Sequence, residues 1–242
     1  MPDLTIIIMA KAPRPGLVKT RLVECGIDPG AAAEIAGAML ACVVRRWSAC
    51  GTVWLAVTPD GCGESLRKSL MLPDVRIIDQ GPGDLGARMA RAWRGIAPDR
   101  PVAFLGIDSP DVPAGHMRAI GPALRQADAA LGPTGDGGYW TLAARRYLPA
   151  LVERIDWGSA IVYDQTRQRA REAGLSVVEL PPWHDVDDGA DLASLHARLS
   201  GLKSGPGASS EDDAAPLDEL RRRLEMVLGP CDPDLRQASG QA

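Results

Sequence analysis

Short apolar runs alternate with longer amphipathic stretches along the first 200 residues. Several runs are apolar throughout, which is typical of parallel strands buried on both faces. These predicted strands lie at 4–9, 52–58, 75–79, 102–107, 128–132, 139–143 and 175–180. The stretches between them carry apolar residues at helical spacing. These predicted helices lie at 29–47, 63–71, 84–96, 113–126, 146–152, 159–173 and 189–200. The alternation predicts an α/β fold, with a single doubly wound, mostly parallel sheet in one domain over residues 1–200.

The composition changes at residue 201. Residues 201–216 are rich in Gly, Ser, Ala, Pro and acidic residues, a composition typical of a disordered linker. Residues 217–228 predict a short amphipathic helix. We therefore expect 201–242 to be a linker plus helix, partly disordered. The helix is either a dispensable chain end or an element that docks on its own or a neighbouring subunit. A homo-oligomer is therefore one of the alternatives.

Charge, hydropathy and cysteine content limit the kinds of molecule that this protein is expected to bind and where it is expected to act. The 242-residue chain has a formal charge of −4 and a pI near 5.4, which argues against general binding to nucleic acid or to an anionic membrane. It has no apolar stretch of the roughly 20 residues that a membrane span needs, and its start lacks the basic residues of a signal peptide. Five cysteines without C-x-x-C spacing indicate free thiols. We expect a cytoplasmic protein that acts on small molecules.

A basic segment follows the first predicted strand. Residues 10–22, AKAPRPGLVKTRL, contain Lys11, Arg14, Lys19 and Arg21 and no acidic residue. In open α/β sheets, ligands bind beyond the carboxyl ends of the strands, and paired cations there suit a polyphosphate. The alternative is an ordinary solvated loop.

Acidic residues follow three later strands. Asp108 directly follows the strand at 102–107, and Asp111 comes three residues later. Carboxylates at this position suit Mg²⁺ or Mn²⁺, while the alternative is that Asp108 caps a turn and Asp111 caps the next helix. Asp136 lies among four glycines in GPTGDGGYW, a pattern that also predicts a hairpin. In HDVDDGADL, a second metal carboxylate is expected at Asp185 or Asp187, while capping of the following helix is the alternative.

Together, APRPGLVKTRL, GDLGARM, GIDSPDVP, GPTGDGGYW and DVDDGADL resemble the bacterial GT-A-type transferases of the nucleotide-diphospho-sugar transferase superfamily. The selenodomain-associated transferases are the most similar subgroup. KTRL and the strand-terminal Asp108 also resemble the guanylyltransferases that build 2-phospholactate and molybdopterin cofactors. The chain lacks a strict D-x-D motif, and it has DDGAD at 187–191 where the family usually has Asp-Thr-Pro-Glu-Asp.

The resemblance implies a Rossmann-like GT-A fold and a transfer site that depends on Mg²⁺ or Mn²⁺. It implies that Lys19, Asp108 and Asp136 are catalytic and that Asp108 and Asp187 bind the metal. The implied nucleotide-binding positions are Ala10, Lys11, Gly16, Lys19, Arg21, Asp84, Gly137 and Gly138.

The expected reaction, by a narrow margin, is glycosyl transfer from a nucleotide-diphospho-sugar to a small-molecule acceptor. The first alternative is nucleotidylyl transfer, which joins a nucleoside triphosphate to a phosphorylated small molecule and releases pyrophosphate. The second is a nucleotide-binding protein without catalysis. Arg88, Tyr139 and Trp157 either line an acceptor site or pack in the core.

Overall fold

The computed structural model describes residues 4–201 and 211–228, and within them seven strands form one sheet. The strands are β1 (Thr5–Lys11), β2 (Thr52–Thr58), β3 (Arg76–Asp79), β4 (Val102–Leu105), β5 (Ala129–Pro133), β6 (Tyr139–Ala144) and β7 (Val177–Glu179). Their order is β3-β2-β1-β4-β6-β5-β7. Only β6 runs antiparallel to its neighbours. The order reverses between β1 and β4, which is where sheets of this type bind ligands.

Eight α-helices occur in the same described residues. They are α1 (Thr20–Glu24), α2 (Pro29–Ser48), α3 (Gly63–Ser69), α4 (Leu85–Ile96), α5 (Ala114–Gln126), α6 (Val162–Glu172), α7 (Gly189–Gly201) and α8 (Glu211–Leu228), with a 3₁₀ turn at Pro149–Leu151. The longest, α2, begins cleanly because the Asp28 carboxylate accepts hydrogen bonds from the amides of Gly30 and Ala31, and Pro29 occupies the first helical position.

The sheet is buried on both faces, as its apolar strands predict. Side chains of a strand alternate between faces, so Ile6 and Ile8 of β1 pack with α2 and α5 while Ile7 packs with α4 on the other face. All three side chains are fully buried. This central strand therefore has little freedom, and the loop that follows it starts from a fixed point.

A third hydrophobic cluster lies away from the sheet, where α8 packs along α2 and α7. The fully buried Leu220 and Leu224 of α8 join it. Helix α8 begins six residues before the predicted start at 217 and contains Pro216. Proline is a common helix boundary, which explains why the sequence pattern placed the start after it. Predicted linker residues 202–210 lie outside the described residues, as do 229–242.

The predicted strands and helices agree with the structure to within a few residues at their ends, except that the helix predicted at 146–152 is only a 3₁₀ turn at Pro149–Leu151. The short helix α1 was not predicted, because five residues leave too little periodicity to detect. Among the described helices, none is long and apolar enough to cross a membrane.

The loop after β4 is held by a buried arginine. Arg46 of α2 is 2% exposed and donates to the backbone carbonyls of Pro110 at 2.5 Å and Val112 at 2.6 Å. On the same loop, the buried Asp111 carboxylate accepts hydrogen bonds from Arg198 at 2.6 Å and from the Trp183 indole at 3.1 Å. Asp111 therefore stabilises the loop and does not cap α5. The N-cap residue of α5 is Pro113.

We predict that Arg46→Met lowers the free energy of unfolding by about 2–3 kcal/mol, because two buried carbonyls lose a charged donor. The neighbouring Arg45, which donates to Met71 O at 3.1 Å on the exposed side, is the matched control. Arg45→Met is expected to cost less than about 1 kcal/mol. Urea unfolding of both variants checks this, and equal losses would contradict it.

Candidate functional site at the carboxyl edge of the sheet

A cleft of about 480 Å³ opens at the carboxyl edge of β4, beside the β5–β6 hairpin. One wall is acidic, and the other is largely apolar. The acidic wall contains Asp108, Asp136, Asp185 and Asp187, with Arg21 among them. Ligand sites commonly combine an apolar wall with a few convergent polar groups, so this cleft has the character of a binding site.

Lys19 ties three parts of the chain together at the base of this wall. Its ammonium donates to the carboxylate of Asp108 and to the carbonyl of Val186. The Val186 amide in turn donates to the Asp108 carbonyl at 2.9 Å. The Lys19 side chain is 6% exposed, whereas that of Asp108 is 47% exposed. A buried ammonium needs such partners, and removing either one leaves a costly unpaired charge.

Lys19 itself has left-handed backbone torsions, with φ of 48°, at the residue before α1. This conformation is unusual for a residue with a side chain and is common at functional sites. It turns the chain from the basic loop into α1.

Asp136 is held by the hairpin between β5 and β6. Its Oδ1 accepts hydrogen bonds from the Thr134 hydroxyl at 2.6 Å and from the Gly138 amide at 2.8 Å. Gly137 has φ of 86°, and a Cβ there would lie 1.9 Å from the Ala160 carbonyl oxygen. Only glycine fits at that point, so the hairpin and the Asp136 carboxylate are fixed against the loop that precedes α6.

The acidic residues at the start of α7 and just before it have two different roles. Asp188 accepts from the amides of Ala190 and Asp191, and the Asp191 carboxylate accepts from the amides of Asp187 and Asp188. This reciprocal arrangement is a capping box. The capping interpretation therefore describes Asp188 and Asp191, while the side chains of Asp185 and Asp187 line the cleft.

The carboxylate cluster, by which we mean Asp136, Asp185 and Asp187, brings one oxygen from each residue within 4.8 Å of the others. Burial, and then the nearby Asp136 charge, raise the pKa of Asp185 to about 6. Burial and the Asp108 carboxylate also raise the pKa of Asp187, although Lys19 and Arg21 oppose them. Both shifts have the same cause, which is negative charge gathered away from water.

Arg21 lies at the rim of the cluster. Its guanidinium donates to Asp187 Oδ2 at 3.0 Å, and its side chain is 67% exposed. An exposed ion pair of this kind contributes little stability and exchanges readily, so the guanidinium is accessible to an incoming anion.

Aromatic and aliphatic groups form another part of the lining, including Tyr139 and Trp157, whose rings meet edge to face at 6.3 Å. Leu85, the first residue of α4, remains 39% exposed beside them. A Cβ at the next residue, Gly86, would lie 2.4 Å from the Trp157 indole nitrogen, so the helix start and the indole are in close contact.

The predicted site residues fall into two groups. Lys19, Arg21, Asp108, Asp136, Asp187 and Gly138 come together around the cleft, with Gly137 in the same hairpin. The others lie apart from the lining. Ala10 is buried and its carbonyl accepts from the Gln80 side chain, Lys11 ends β1 exposed, Gly16 has positive φ in the basic loop, and Asp84 caps α4 through the Ala87 amide. The individual roles of all these residues stay predictions.

The predicted metal set, Asp108 and Asp187, shares only Asp187 with the carboxylate cluster. Asp136 was predicted as a catalytic residue, and Asp185 was the alternative to Asp187. The signal for it was the spacing of Asp185 and Asp187, because residues two apart on an extended chain face the same side. The structure places both at the cleft and pairs Asp108 with Lys19.

Comparisons with known proteins agree on the fold. Residues 43–159 match a family described as uncharacterized proteins conserved in bacteria (DUF2064). No curated protein matches the chain significantly. A crystal structure from Desulfovibrio desulfuricans G20, provisionally named a nucleotide-diphospho-sugar transferase, is 29% identical with a TM-score of 0.76, and the match covers 94% of this chain and 99% of that one. The chain has a nucleotide-diphospho-sugar transferase-like fold.

More distant structures share this fold. A nucleotidyl transferase from Methanothermobacter is 16% identical with a TM-score of 0.52, covering 81% of this chain and 97% of that one. A CMP:2-keto-3-deoxy-manno-octonic acid synthetase complexed with CTP is 12% identical with a TM-score of 0.52, covering 82% and 99%. The predicted fold class is confirmed, and these structural relatives are transferases.

We predict that the metal-free protein becomes more stable at neutral pH when Asp185 is replaced by Asn. The raised pKa means that this carboxyl favours folding fully below its ordinary pKa of 3.8 and loses that contribution as the pH rises through about 6. At pH 7.5 in EDTA, the gain in free energy of unfolding should be about 1 kcal/mol, reduced because water screens a half-buried group.

Urea unfolding at pH 7.5 and pH 4 measures this change, and the gain should nearly vanish at pH 4. The exposed Asp99→Asn is the control and should change stability by less than about 0.5 kcal/mol at either pH. A gain for Asp185→Asn that is independent of pH would contradict the electrostatic explanation.

Proposed function

We propose that this protein is a divalent-metal-dependent transferase that moves a glycosyl group from a nucleotide-diphospho-sugar to a small-molecule acceptor. The observation that carries the proposal is the carboxylate cluster, three carboxylate oxygens within 4.8 Å in a cleft that also contains Arg21. The match to the D. desulfuricans structure supports the same class of substrate.

The donor set fits a hard divalent cation. Asp136, Asp185 and Asp187 offer only oxygen ligands, which Mg²⁺ and Mn²⁺ prefer, and the raised pKa of Asp185 reflects negative charge that a cation would offset. Asp108 uses Oδ1 for Lys19 and lines the same cleft, so it extends this set. When bound, the metal would neutralise the charge of the diphosphate.

Cationic side chains would bind the phosphates. Arg21 is exposed at the rim and can donate two parallel hydrogen bonds to phosphate oxygens. Lys19 uses two of its three N–H donors for Asp108 and Val186, which leaves one for a phosphate. In this proposal both stabilise charge on the leaving diphosphate, and catalysis consists mainly of positioning and electrostatics.

The apolar wall supports a neutral acceptor. Among the described lining residues of the cleft, Arg21 is the one cation, and Tyr139, Trp157 and Leu85 supply aromatic and aliphatic surface to the same lining. Aromatic side chains pack well against the carbon face of an uncharged ring. A phosphorylated acceptor would need further cations on this side.

Nucleotidylyl transfer is the second candidate. The observation that favours it is the position of Lys19-Thr20-Arg21 directly after the loop that follows β1, with both cations beside the carboxylate cluster. A nucleoside triphosphate carries more negative charge than a nucleotide sugar and would engage both cations.

A thermal-shift panel tests the proposal with UDP-, GDP- and dTDP-sugars against ATP, GTP, CTP and UTP, each in EDTA, Mg²⁺ or Mn²⁺. A ligand that binds the folded state raises the melting temperature by mass action. We expect one nucleotide sugar to raise it by several degrees only with metal. The shift should be lost in Asp185→Asn and Arg21→Ala and retained in Arg14→Ala, whose side chain lies in the same basic loop outside the cleft lining.

The outcomes separate the candidates. A metal-dependent shift from a triphosphate alone would replace glycosyl transfer by nucleotidylyl transfer. A shift that does not need metal would remove the metal from the proposal. If no ligand shifts the melting temperature, the assignment of a nucleotide site is wrong.

A further inference from the structure

The segment that carries Asp185 and Asp187 has no regular secondary structure of its own, so its position depends on Val186 between them. The Val186 amide donates to the Asp108 carbonyl at 2.9 Å, and its carbonyl accepts from Lys19. Its side chain points away from the cleft and is fully buried. Three independent contacts therefore fix one residue.

The third hydrophobic cluster receives the Val186 side chain. This cluster also contains Leu22 of α1, which follows Arg21 directly, and Leu217, Leu220 and Leu224 of α8. The side chains of Val186, Leu22 and Leu224 have no measurable exposure, and Leu220 is 1% exposed. The third hydrophobic cluster thus packs against two segments that supply charged groups to the cleft, the one with Arg21 and the one with Asp185 and Asp187.

We infer that helix α8 is a positioning element of the carboxylate cluster. Leu220 acts on Asp185 and Asp187 through the third hydrophobic cluster, which contains the Val186 side chain. The inference rests on the proposed function for its metal and extends it to a helix outside the cleft lining. Helix α8 then docks on its own chain and is not a dispensable chain end.

The geometry gives the physical reason. On an extended segment, neighbouring side chains point to opposite sides, so burial of Val186 on one side turns both aspartates to the other. A rotation of the segment that withdrew Val186 would turn both carboxylates out of the cleft together. Binding of a metal by several carboxylates requires positions accurate to roughly half an ångström.

Leu220 supports this position from α8, which packs along α2 and α7. Truncation of Leu220 to Ala would leave space in the third hydrophobic cluster, into which Val186 and its neighbours can shift. Loss of stability alone does not test the inference, because any buried leucine would show it. The test must compare two buried leucines that lie in different hydrophobic clusters.

The experiment compares Leu220→Ala with Leu124→Ala in the full chain. Leu124 is 5% exposed, belongs to the cluster on the sheet, and lies near the end of α5, which returns from the carboxyl edge to the opposite edge. Both variants should melt at lower temperature than the parent. All measurements are made well below both melting temperatures, so that local and global opening are separable.

Hydrogen exchange followed by mass spectrometry is the first readout and needs no metal. In Leu220→Ala, the peptide over 184–190 should exchange at least tenfold faster than in the parent, while in Leu124→Ala it should exchange within twofold of the parent rate. Leu220→Met, which restores most of the volume, should return the rate towards that of the parent. Equal exchange of this peptide in the two alanine variants would overturn the inference.

Binding of Mn²⁺ alone, measured by calorimetry, is the second readout. The dissociation constant should rise at least fivefold in Leu220→Ala and stay within twofold in Leu124→Ala, and equal values in the two variants would overturn the inference. If the parent chain binds no Mn²⁺, the proposed metal site fails, and hydrogen exchange still decides whether α8 positions the segment.

Discussion

The buried ammonium of Lys19 is the contact on which the site depends. It joins the loop after β1, the end of β4 through Asp108, and the segment before α7 through Val186. These three segments leave the sheet or return to it at different points, and their backbones share one direct hydrogen bond, from Val186 to Asp108. A buried ammonium must find charged and polar partners, so the need to satisfy Lys19 brings the segments together. Asp108, Asp185 and Asp187 lie close together because their backbones are fixed around Lys19, and the β5–β6 hairpin adds Asp136.

The sheet gives this contact a firm base. Strand β1 is buried on both faces and pairs along its length with β2, and β4 pairs with its other side. Arg46 and Arg198 hold the loop after β4 from beneath through Pro110, Val112 and Asp111. The cleft is therefore built on preorganised backbone, and electrostatic catalysis requires such preorganisation because the groups must not reorganise as charge develops.

Local sequence patterns were enough to predict most of the fold, but they predicted less of the site. Strand and helix periodicities are properties of neighbouring residues, and so the elements could be predicted near their true bounds. The insertion of β6 between β4 and β5 is a choice of pairing that no local pattern records. In the site, Lys19 and Asp108 are 89 residues apart, and Arg21 and Asp187 are 166 apart. The rule that ligands bind at strand ends selected these segments, whereas the inclusion of Asp185 and the burial of Val186 depend on tertiary packing.

The charges at the cleft imply an order of events. Asp108, Asp136, Asp185 and Asp187 lie with Lys19 and Arg21, so negative charge exceeds positive charge among the described residues of the site. A nucleotide diphosphate would meet repulsion there, and the half-buried carboxylates would feel it most because water screens them least. A divalent cation would offset this excess of negative charge, and the carboxylate cluster would then hold a cation that attracts phosphate instead of repelling it. Under the proposed function, the metal would therefore be needed for nucleotide binding as well as for the transfer step.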